Sequence, residues 1–213
     1  MHITNHFETP IWIEQKKDFV NSLNKASNKY INEAKKREKP YIKKYGDFGT
    51  SYHSTPLTLD TNFIDFRNYV GQKSWEFLDD MGYDMKQYTT VFSEMWVQEF
   101  AKKGGGYHSA HIHWNQHVSG FYFLKCSDKT SYPLFHDPRT GARSTKLKMK
   151  KNAGMATGAE LIHFKPKPGS LLIFPGFLEH EFVVDHGVEP FRFIHWNIQA
   201  IPNEFLNNDK TYK

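Results

Sequence analysis

The stretch that decides the fold runs from Pro168 to His180 and reads PGSLLIFPGFLEH. A Pro-Gly turn leads into the apolar run Ser170–Phe174, and a second Pro-Gly pair follows it directly. An apolar run this short between two turn signals is typical of a buried β-strand, because helices are usually longer. The segment therefore predicts a strand, a tight turn, and then His180 at the start of the next strand.

Short strands between turns recur over the second half of the chain, with no helical pattern between them. The predicted strands are Val91–Lys102, Tyr107–Trp114, Gly120–Cys126, Tyr132–Asp137, Glu160–Phe164, Ser170–Phe174, Glu181–Val184 and Phe191–Ala200. Such a series favours an antiparallel sandwich or barrel, and a jelly roll is an eight-stranded solution that also makes a pocket between two sheets. We therefore expect a mainly β fold.

The first 90 residues have a different pattern, in which apolar side chains recur at helical spacing among many polar ones. One helix is predicted from about Ile11 to Lys36, limited by Pro40, and a second from Thr61 to Met81, ended by Gly82. We expect residues 1–90 to form a helical region packed outside a jelly-roll core of residues 91–213, within a single compact domain.

The composition excludes several classes of protein. The 213 residues include a single cysteine, so an internal disulfide or a cysteine-rich zinc site is excluded. There is no apolar run of about 18 residues, which a membrane-spanning helix needs, and no secretory leader pattern. The net charge of +5 does not by itself indicate nucleic-acid binding. A cytoplasmic location is expected, in the host cell if the protein is viral.

Three histidines and one arginine on successive predicted strands form the candidate site. In a strand, side chains two residues apart share a face, so His111 and His113 point at one spot that a metal ion can occupy. His180 follows on a later strand, and Arg192 begins the last one. Alternation places Arg192 on an apolar face, where a guanidinium needs an anion: either a ligand's carboxylate or phosphate, or an internal Asp or Glu.

The sequence resembles the Fe(II)- and 2-oxoglutarate-dependent (2OG-Fe(II)) oxygenases, within them a branch found in marine bacteria and phages. The matching stretches are His111–Asn115 (HIHWN), Ser119–Leu124 (SGFYFL), Phe135–Arg139 (FHDPR), Pro168–Leu171 (PGSL), Phe174-Pro175, His180 and Arg192–Asn197 (RFIHWN). The resemblance covers most of the chain and is strongest between Trp96 and Pro202.

This resemblance implies a double-stranded β-helix, which is a jelly roll, with Fe(II) held near one end of the barrel. It further implies that 2-oxoglutarate chelates the iron and extends its distal carboxylate to Arg192. The enzyme would couple oxidative decarboxylation of 2-oxoglutarate to succinate with oxidation of a substrate by O₂, most simply a hydroxylation. Tyr122 and Ser119 would flank the co-substrate. Arg139 is a candidate second anion contact, or alternatively a salt bridge that fixes its loop.

The third metal ligand departs from the usual pattern of the superfamily, which has two histidines and one carboxylate. Here His113 occupies the position of the carboxylate, and three arrangements are open. The metal could be bound by His111, His113 and His180, by two histidines with water, or by two histidines and a carboxylate such as Asp137 or Glu179. We favour three histidines because strand geometry already directs His113 correctly. His195 is expected to be a packing residue, and Asn115 is expected to support a histidine.

Two other functions fit the same residues. One is a jelly-roll protein that binds metal without redox turnover, and the other is a cupin-type three-histidine dioxygenase that does not need 2-oxoglutarate. The substrate is unknown and could be a small molecule or a protein side chain. The basic stretch of residues 138–151 is either a lid or a solvated loop. The N-terminal helices could cap the barrel or form a homodimer.

Overall fold

The computed structural model describes residue 2 and residues 4–144, 147–151 and 158–208. Within these residues ten strands and four α-helices are present. They are β1 Trp12–Gln15, α1 Val20–Tyr45, β2 Ser51–His53, α2 Ile64–Asp80, β3 Tyr88–Phe100, β4 His108–His111, β5 Val118–Lys125, β6 Pro133–His136, α3 Thr140–Arg143, β7 Leu161–His163, β8 Ser170–Pro175, β9 His180–Phe182, β10 Arg192–Pro202 and α4 Asn203–Asn208. Short 3₁₀ turns at Thr61–Phe63 and Met85–Gln87 flank α2.

The strands form two antiparallel sheets. The larger has the order β1-β8-β5-β10-β3-β2, and the smaller has the order β4-β9-β6-β7. All eight strands predicted from the sequence are present, with their ends shifted by a few residues. The expectation of a mainly β jelly roll with helices outside it is therefore confirmed.

Each face of the larger sheet is covered by its own apolar layer. Its inner face meets the smaller sheet through a cluster dominated by phenylalanine, which includes Phe121, Phe182 and Phe193. Its outer face meets α1 and α2 through a second cluster, which includes Ile194 and Trp196. Because side chains alternate along a strand, β10 contributes to both layers and is buried on both sides.

The first predicted helix was wrong at both ends. Trp12–Gln15 form β1, which pairs with β8, and α1 begins only at Val20. The helix then continues through Pro40 to Tyr45, and beyond the proline Ile42 still packs against a small cluster of Ala34, Tyr52 and Ala101. This packing favours continuation of the helix despite the backbone hydrogen bond that a proline removes.

The N-terminal region also contributes both edges of the larger sheet. At one edge β1 pairs with β8, and at the other β2 pairs with β3, with Tyr52 opposite Glu99. The expected helical region of residues 1–90 therefore contains both edge strands of the larger sheet, and the division of the chain at residue 90 stays a prediction. In the described part of the chain, no helix combines the length and apolar character that crossing a bilayer requires.

Candidate active site

Three predicted metal ligands come together at one end of the space between the sheets. His111 on β4 lies opposite His180 on β9, with ring centroids 4.5 Å apart. The ring of His113 lies 5.1 Å from each of them. One potential ligand atom from each residue lies within 4.8 Å of the other two. The structure thus assembles His111, His113 and His180 as the sequence predicts.

His113 lies just beyond the end of β4, so strand pairing does not hold it. The turn after β8 holds it instead. The backbone N–H of His113 donates to the carbonyl oxygen of Gly176 at 2.9 Å. A side chain at position 176 would collide with the backbone of Gln116, so only glycine allows this close approach. The Pro175-Gly176 turn at the end of β8 therefore also fixes the position of the His113 segment.

Two of the three rings have their proton placed by the backbone. His111 Nδ1 lies 2.7 Å from the carbonyl oxygen of Ser109, and His180 Nδ1 lies 2.8 Å from that of Leu178. A carbonyl oxygen only accepts, so both Nδ1 atoms carry the proton and both Nε2 atoms keep a lone pair. Histidines that bind metals are typically oriented in this way.

Burial keeps the two inner rings of the trio neutral. Loss of solvation, with a smaller contribution from His111, lowers the pKa of His113 to about 4. Burial likewise lowers the pKa of His180 to about 3, against a weaker opposing effect of its bond to Leu178. The Nε2 atoms of both residues are buried without a hydrogen-bond partner. Neutral imidazole is the form that binds a metal, so these residues fit one.

The carboxylates considered as alternative ligands are engaged by arginines instead. Asp137 forms an ion pair with Arg139 at 2.8 Å, and that hydrogen bond lowers the pKa of Asp137. Glu179 forms an ion pair with Arg143 at 2.7 Å. Within the described residues, the ligand cluster consists of the three histidines alone. The contact of Arg139 corresponds to the salt-bridge alternative stated for it.

Most of the basic stretch 138–151 is described. Thr140–Arg143 form the short helix α3, and Arg143 also donates from Nε to the backbone oxygen of Asp137. Lys146 lies outside the described residues. The two arginines thus attach the start of this stretch to Asp137, which follows β6, and to Glu179, which directly precedes His180.

Arg192 lies on the other side of the larger sheet from the histidines, so its expected contact with 2-oxoglutarate is not supported. Its Nε and Nη2 donate to the same oxygen of Glu99, at 2.7 and 2.5 Å. Its Nη1 donates to Ser27 and Asn28 of α1. The guanidinium therefore has the internal carboxylate partner that was the alternative interpretation, and it joins α1 to the sheet.

Tyr122 and Ser119 lie on opposite faces of β5. The hydroxyl of Tyr122 donates to the backbone oxygen of Lys16 at 2.6 Å, and its ring packs in the outer apolar cluster. Tyr122 is thus directed away from the histidines, contrary to expectation. Ser119 faces inward and donates to Asn197 Oδ1 at 2.6 Å. Ser119 is therefore connected to His113 through the side chain of Asn197.

Two inward residues of β10 belong to the site although neither was predicted to. His195 is 2% exposed, and its ring lies 4.7 Å from that of His113 and 4.4 Å from that of Trp96. Burial, followed by the neighbouring histidines, holds the pKa of His195 well below its usual range. Asn197 follows two residues later. Alternation along β10 places Arg192 and Ile194 on one face of the strand. It therefore already places His195 and Asn197 on the opposite face.

Asn197 connects four side chains, which we call the Asn197 network: Glu94, His113, Ser119 and His195. Its Nδ2 lies 3.0 Å from Glu94 Oε2 and 3.2 Å from His113 Nδ1. Its Oδ1 lies 2.6 Å from the Ser119 hydroxyl and 3.2 Å from His195 Nε2. The expected supporting amide was Asn115, but it is Asn197 that contacts a histidine of the trio.

A bulge adds His108 to the inner face. Strict alternation predicts His108 and His111 on opposite faces, but the pairing of β4 with β9 shifts register between them. As a result the two rings lie 6.1 Å apart, and His108 Nε2 contacts Gln98 Nε2. Burial lowers the pKa of His108 to about 4. The pocket wall is therefore richer in neutral imidazole than the sequence predicted.

Comparison with known proteins gives a family match over the strands just described. Residues 94–192 match the family model described as "Putative 2OG-Fe(II) oxygenase". This range, just under half of the chain, contains His111, His113 and His180. No curated protein sequence matches the chain.

Solved oxygenase structures have a similar fold at low sequence identity. A prolyl-4-hydroxylase from Pseudomonas putida is 11% identical over 90% of this chain and 94% of that chain, with a TM-score of 0.54. AviO1 from Streptomyces viridochromogenes Tue57 is 11% identical over 92% and 91%, with a TM-score of 0.57. A prolyl hydroxylase from Trichoplax adhaerens, in complex with a hypoxia inducible factor oxygen degradation domain peptide fragment, is 9% identical over 88% and 82%, with a TM-score of 0.50.

The two kinds of comparison concern different features of the chain. The structural similarity shows the fold, and the family match covers the strands that carry the histidine trio. The trio also fits the metal that the family uses. Together these findings confirm the resemblance to the 2OG-Fe(II) oxygenases, a family that uses Fe(II), 2-oxoglutarate and O₂: its model matches residues 94–192, and the chain has the fold of solved oxygenases.

Proposed function

We propose that His111, His113 and His180 hold the Fe(II) of this enzyme, each through Nε2. The observation that carries this proposal is the convergence of three imidazoles, two of which have Nδ1 fixed by backbone carbonyls. Three neutral donors would leave the full charge of the ion in place, because no carboxylate among the described residues joins the cluster. An anionic chelating ligand such as 2-oxoglutarate would supply the neutralising charge.

The chain supplies orientation and a dry environment, and the bound cofactors supply the chemistry. Fe(II) with 2-oxoglutarate and O₂ couples oxidative decarboxylation, which yields succinate, to oxidation of a substrate. Phenylalanine rings surround His180: Phe174 at 4.8 Å, Phe121 at 5.5 Å and Phe135 at 6.1 Å. They exclude water from the inner side of the trio.

The substrate is proposed to be a small molecule or a protein side chain, and the reaction a hydroxylation. Prolyl hydroxylases among the similar structures support this class. A cleft of about 710 Å³ lies between residues 4–11 and the β6–β7 edge, and it shares Phe135 and Leu178 with the surroundings of His180. This shared lining supports the cleft as the place where substrate binds.

A reducing compartment, the cytoplasm, is proposed as the location. The half-buried Cys126 has no second cysteine with which to form a disulfide, and burial raises the pKa of its thiol to about 12. At neutral pH such a thiol carries almost no thiolate, which is the reactive form. Association of two chains through α1 and α2 stays a prediction.

The test uses purified protein with Fe(II) and 2-oxoglutarate. Without oxygen, a visible metal-to-ligand charge-transfer band is expected, and with oxygen, succinate is expected. His180→Ala should lose both signals, whereas the matched control His186→Ala, at an exposed histidine, should keep them. Tight binding of zinc alone, with no band, would instead indicate a metal protein without redox turnover. Oxygen consumption that does not require 2-oxoglutarate would indicate the three-histidine dioxygenase.

A further inference from the structure

The buried arginine that the resemblance assigns to 2-oxoglutarate does not face the histidine trio. Among the described residues, Arg192 is the only arginine or lysine that is buried, and it is bonded to Glu99 outside the pocket. A 2-oxoglutarate carboxylate that reaches the inner face beside His113 would meet neutral hydrogen-bond donors there. His195 and Trp96 are inner-face side chains, each with one buried ring nitrogen that has no hydrogen-bond partner.

His195 has one ring nitrogen engaged and one without a partner. Its Nε2 lies 3.2 Å from Asn197 Oδ1, while its Nδ1 is buried and makes no hydrogen bond. The ring packs between Trp96, Phe121 and His113 and belongs to no ligand cluster. A buried polar atom without a partner is costly, and such an atom beside a metal site indicates a missing ligand atom.

The Asn197 network determines whether that nitrogen is a donor. In the arrangement described, Asn197 donates from Nδ2 to His113 Nδ1 and accepts at Oδ1 from His195 Nε2. A metal on His113 Nε2 requires the proton on Nδ1 instead, so Asn197 must then present its oxygen to His113. The amide nitrogen turns toward Ser119 and His195, and Glu94 is exposed and able to turn to solvent.

His195 Nε2 must then accept, which leaves the single proton of this neutral ring on Nδ1. We propose that His195 donates this Nδ1–H to a carboxylate oxygen of metal-bound 2-oxoglutarate, and that Asn197 is the positioning residue that places the proton there. The inference rests on the proposed metal site. It assigns to two residues of β10 the contact with 2-oxoglutarate that the resemblance implied for Arg192.

Trp96 supports the inference from the neighbouring strand. It lies opposite His195 in the pairing of β10 with β3, and its Nε1 is likewise buried without a partner. An indole N–H only donates, so it calls for an acceptor atom. The two rings are 4.4 Å apart, so a fixed donor on Trp96 and a donor that metal binding creates on His195 belong to neighbouring side chains and suit an anionic ligand.

Two substitutions at His195 distinguish the roles of its two ring nitrogens. His195→Gln places an amide near the position of Nε2 and keeps the contact with Asn197, but has nothing at Nδ1. His195→Asn places an amide near Nδ1. In anaerobic titrations of the charge-transfer band, His195→Gln should weaken 2-oxoglutarate binding by roughly 10- to 100-fold, since a hydrogen bond to a charged group is removed. His195→Asn should recover most of this loss, and both should bind Fe(II) alone as the parent does.

A measurement on the unaltered protein tests the proposal even if the variants fold poorly. With ¹⁵N-labelled histidine, NMR should report His195 protonated at Nε2 without metal and at Nδ1 with Zn(II). A ring that keeps the Nε2 proton when zinc is bound overturns the proposal, as does an unchanged affinity in His195→Gln. Absence of the band in the parent protein would instead refute the proposed metal chemistry, so the two failures are distinguishable.

Discussion

Replacing Arg192 by alanine tests whether this residue holds the fold together or binds the co-substrate. Arg192 and Glu99 have side chains 4% and 8% exposed, and two guanidinium nitrogens contact one carboxylate oxygen. Removing one partner of such a buried pair generally costs about 3–5 kcal/mol, because the other charge is left uncompensated. Here Glu99 keeps Lys35 at 2.5 Å, so we expect a loss near the lower limit, about 3 kcal/mol.

Urea unfolding followed by tryptophan fluorescence measures the loss. Burial alone raises the pKa of Glu99, but Lys35 and Arg192 outweigh it and hold that pKa below its ordinary value. Their contribution is therefore present above the unfolded pKa and declines as the pH falls through the folded one. Arg192→Ala should reduce this acid-side dependence, and the double variant Arg192→Met with Glu99→Met should restore most of the stability.

The decisive comparison is with the affinity for 2-oxoglutarate. We expect folded Arg192→Ala protein to bind the co-substrate with nearly unchanged affinity in the anaerobic titration. Unchanged stability together with lost 2-oxoglutarate binding would refute the reasoning, because it would place the guanidinium in the pocket.

Three further outcomes follow from the packing and charges described. Trp96→Phe should weaken 2-oxoglutarate binding severalfold in the same titration, since it removes a buried N–H while keeping a ring, and unchanged affinity would exclude Trp96 as a contact. Gly120→Ala should lower the free energy of unfolding by about 1–3 kcal/mol, because its methyl group would overlap the ring of Trp196. Gly141→Ala, where the added atom meets nothing within 4 Å, is the matched control, and equal effects would contradict the packing. The metal-free protein should lose stability as the pH falls from about 6.5 toward 4. In the folded protein the pKa is about 4 for His108 and His113 and about 3 for His180, so these rings stay neutral over this range. The same histidines take up protons in the unfolded chain, which favours unfolding. Urea midpoints that do not change over this range would show that these rings are not buried as described.

The strands of the core could be predicted because each is a short apolar run between strong turn signals. The two edge strands could not. β1 reads WIEQ and β2 reads SYH, and both are short and partly polar. Nothing within such a segment distinguishes it from a loop or a helix end, because its pairing partner lies far away in the chain.

The site was predictable as far as residue spacing determines it. The trio of histidines followed from alternation and from the turn before His180. Which face of β10 lines the pocket did not follow, because that strand is buried on both sides. Ile194 and Trp196 make one face apolar, yet that face lies under the helices, and the pocket face carries His195 and Asn197. The bulge that turns His108 inward was also invisible to a strict two-residue period.

The edge strands have a practical consequence for shortening this enzyme. A chain begun at residue 91, at the apparent start of the β region, would leave the backbone amides and carbonyls of β8 and β3 without their outer partners. It would also uncover the apolar side of the sheet. Open edges of this kind pair readily with other molecules, so such a truncation should aggregate rather than yield a minimal catalyst.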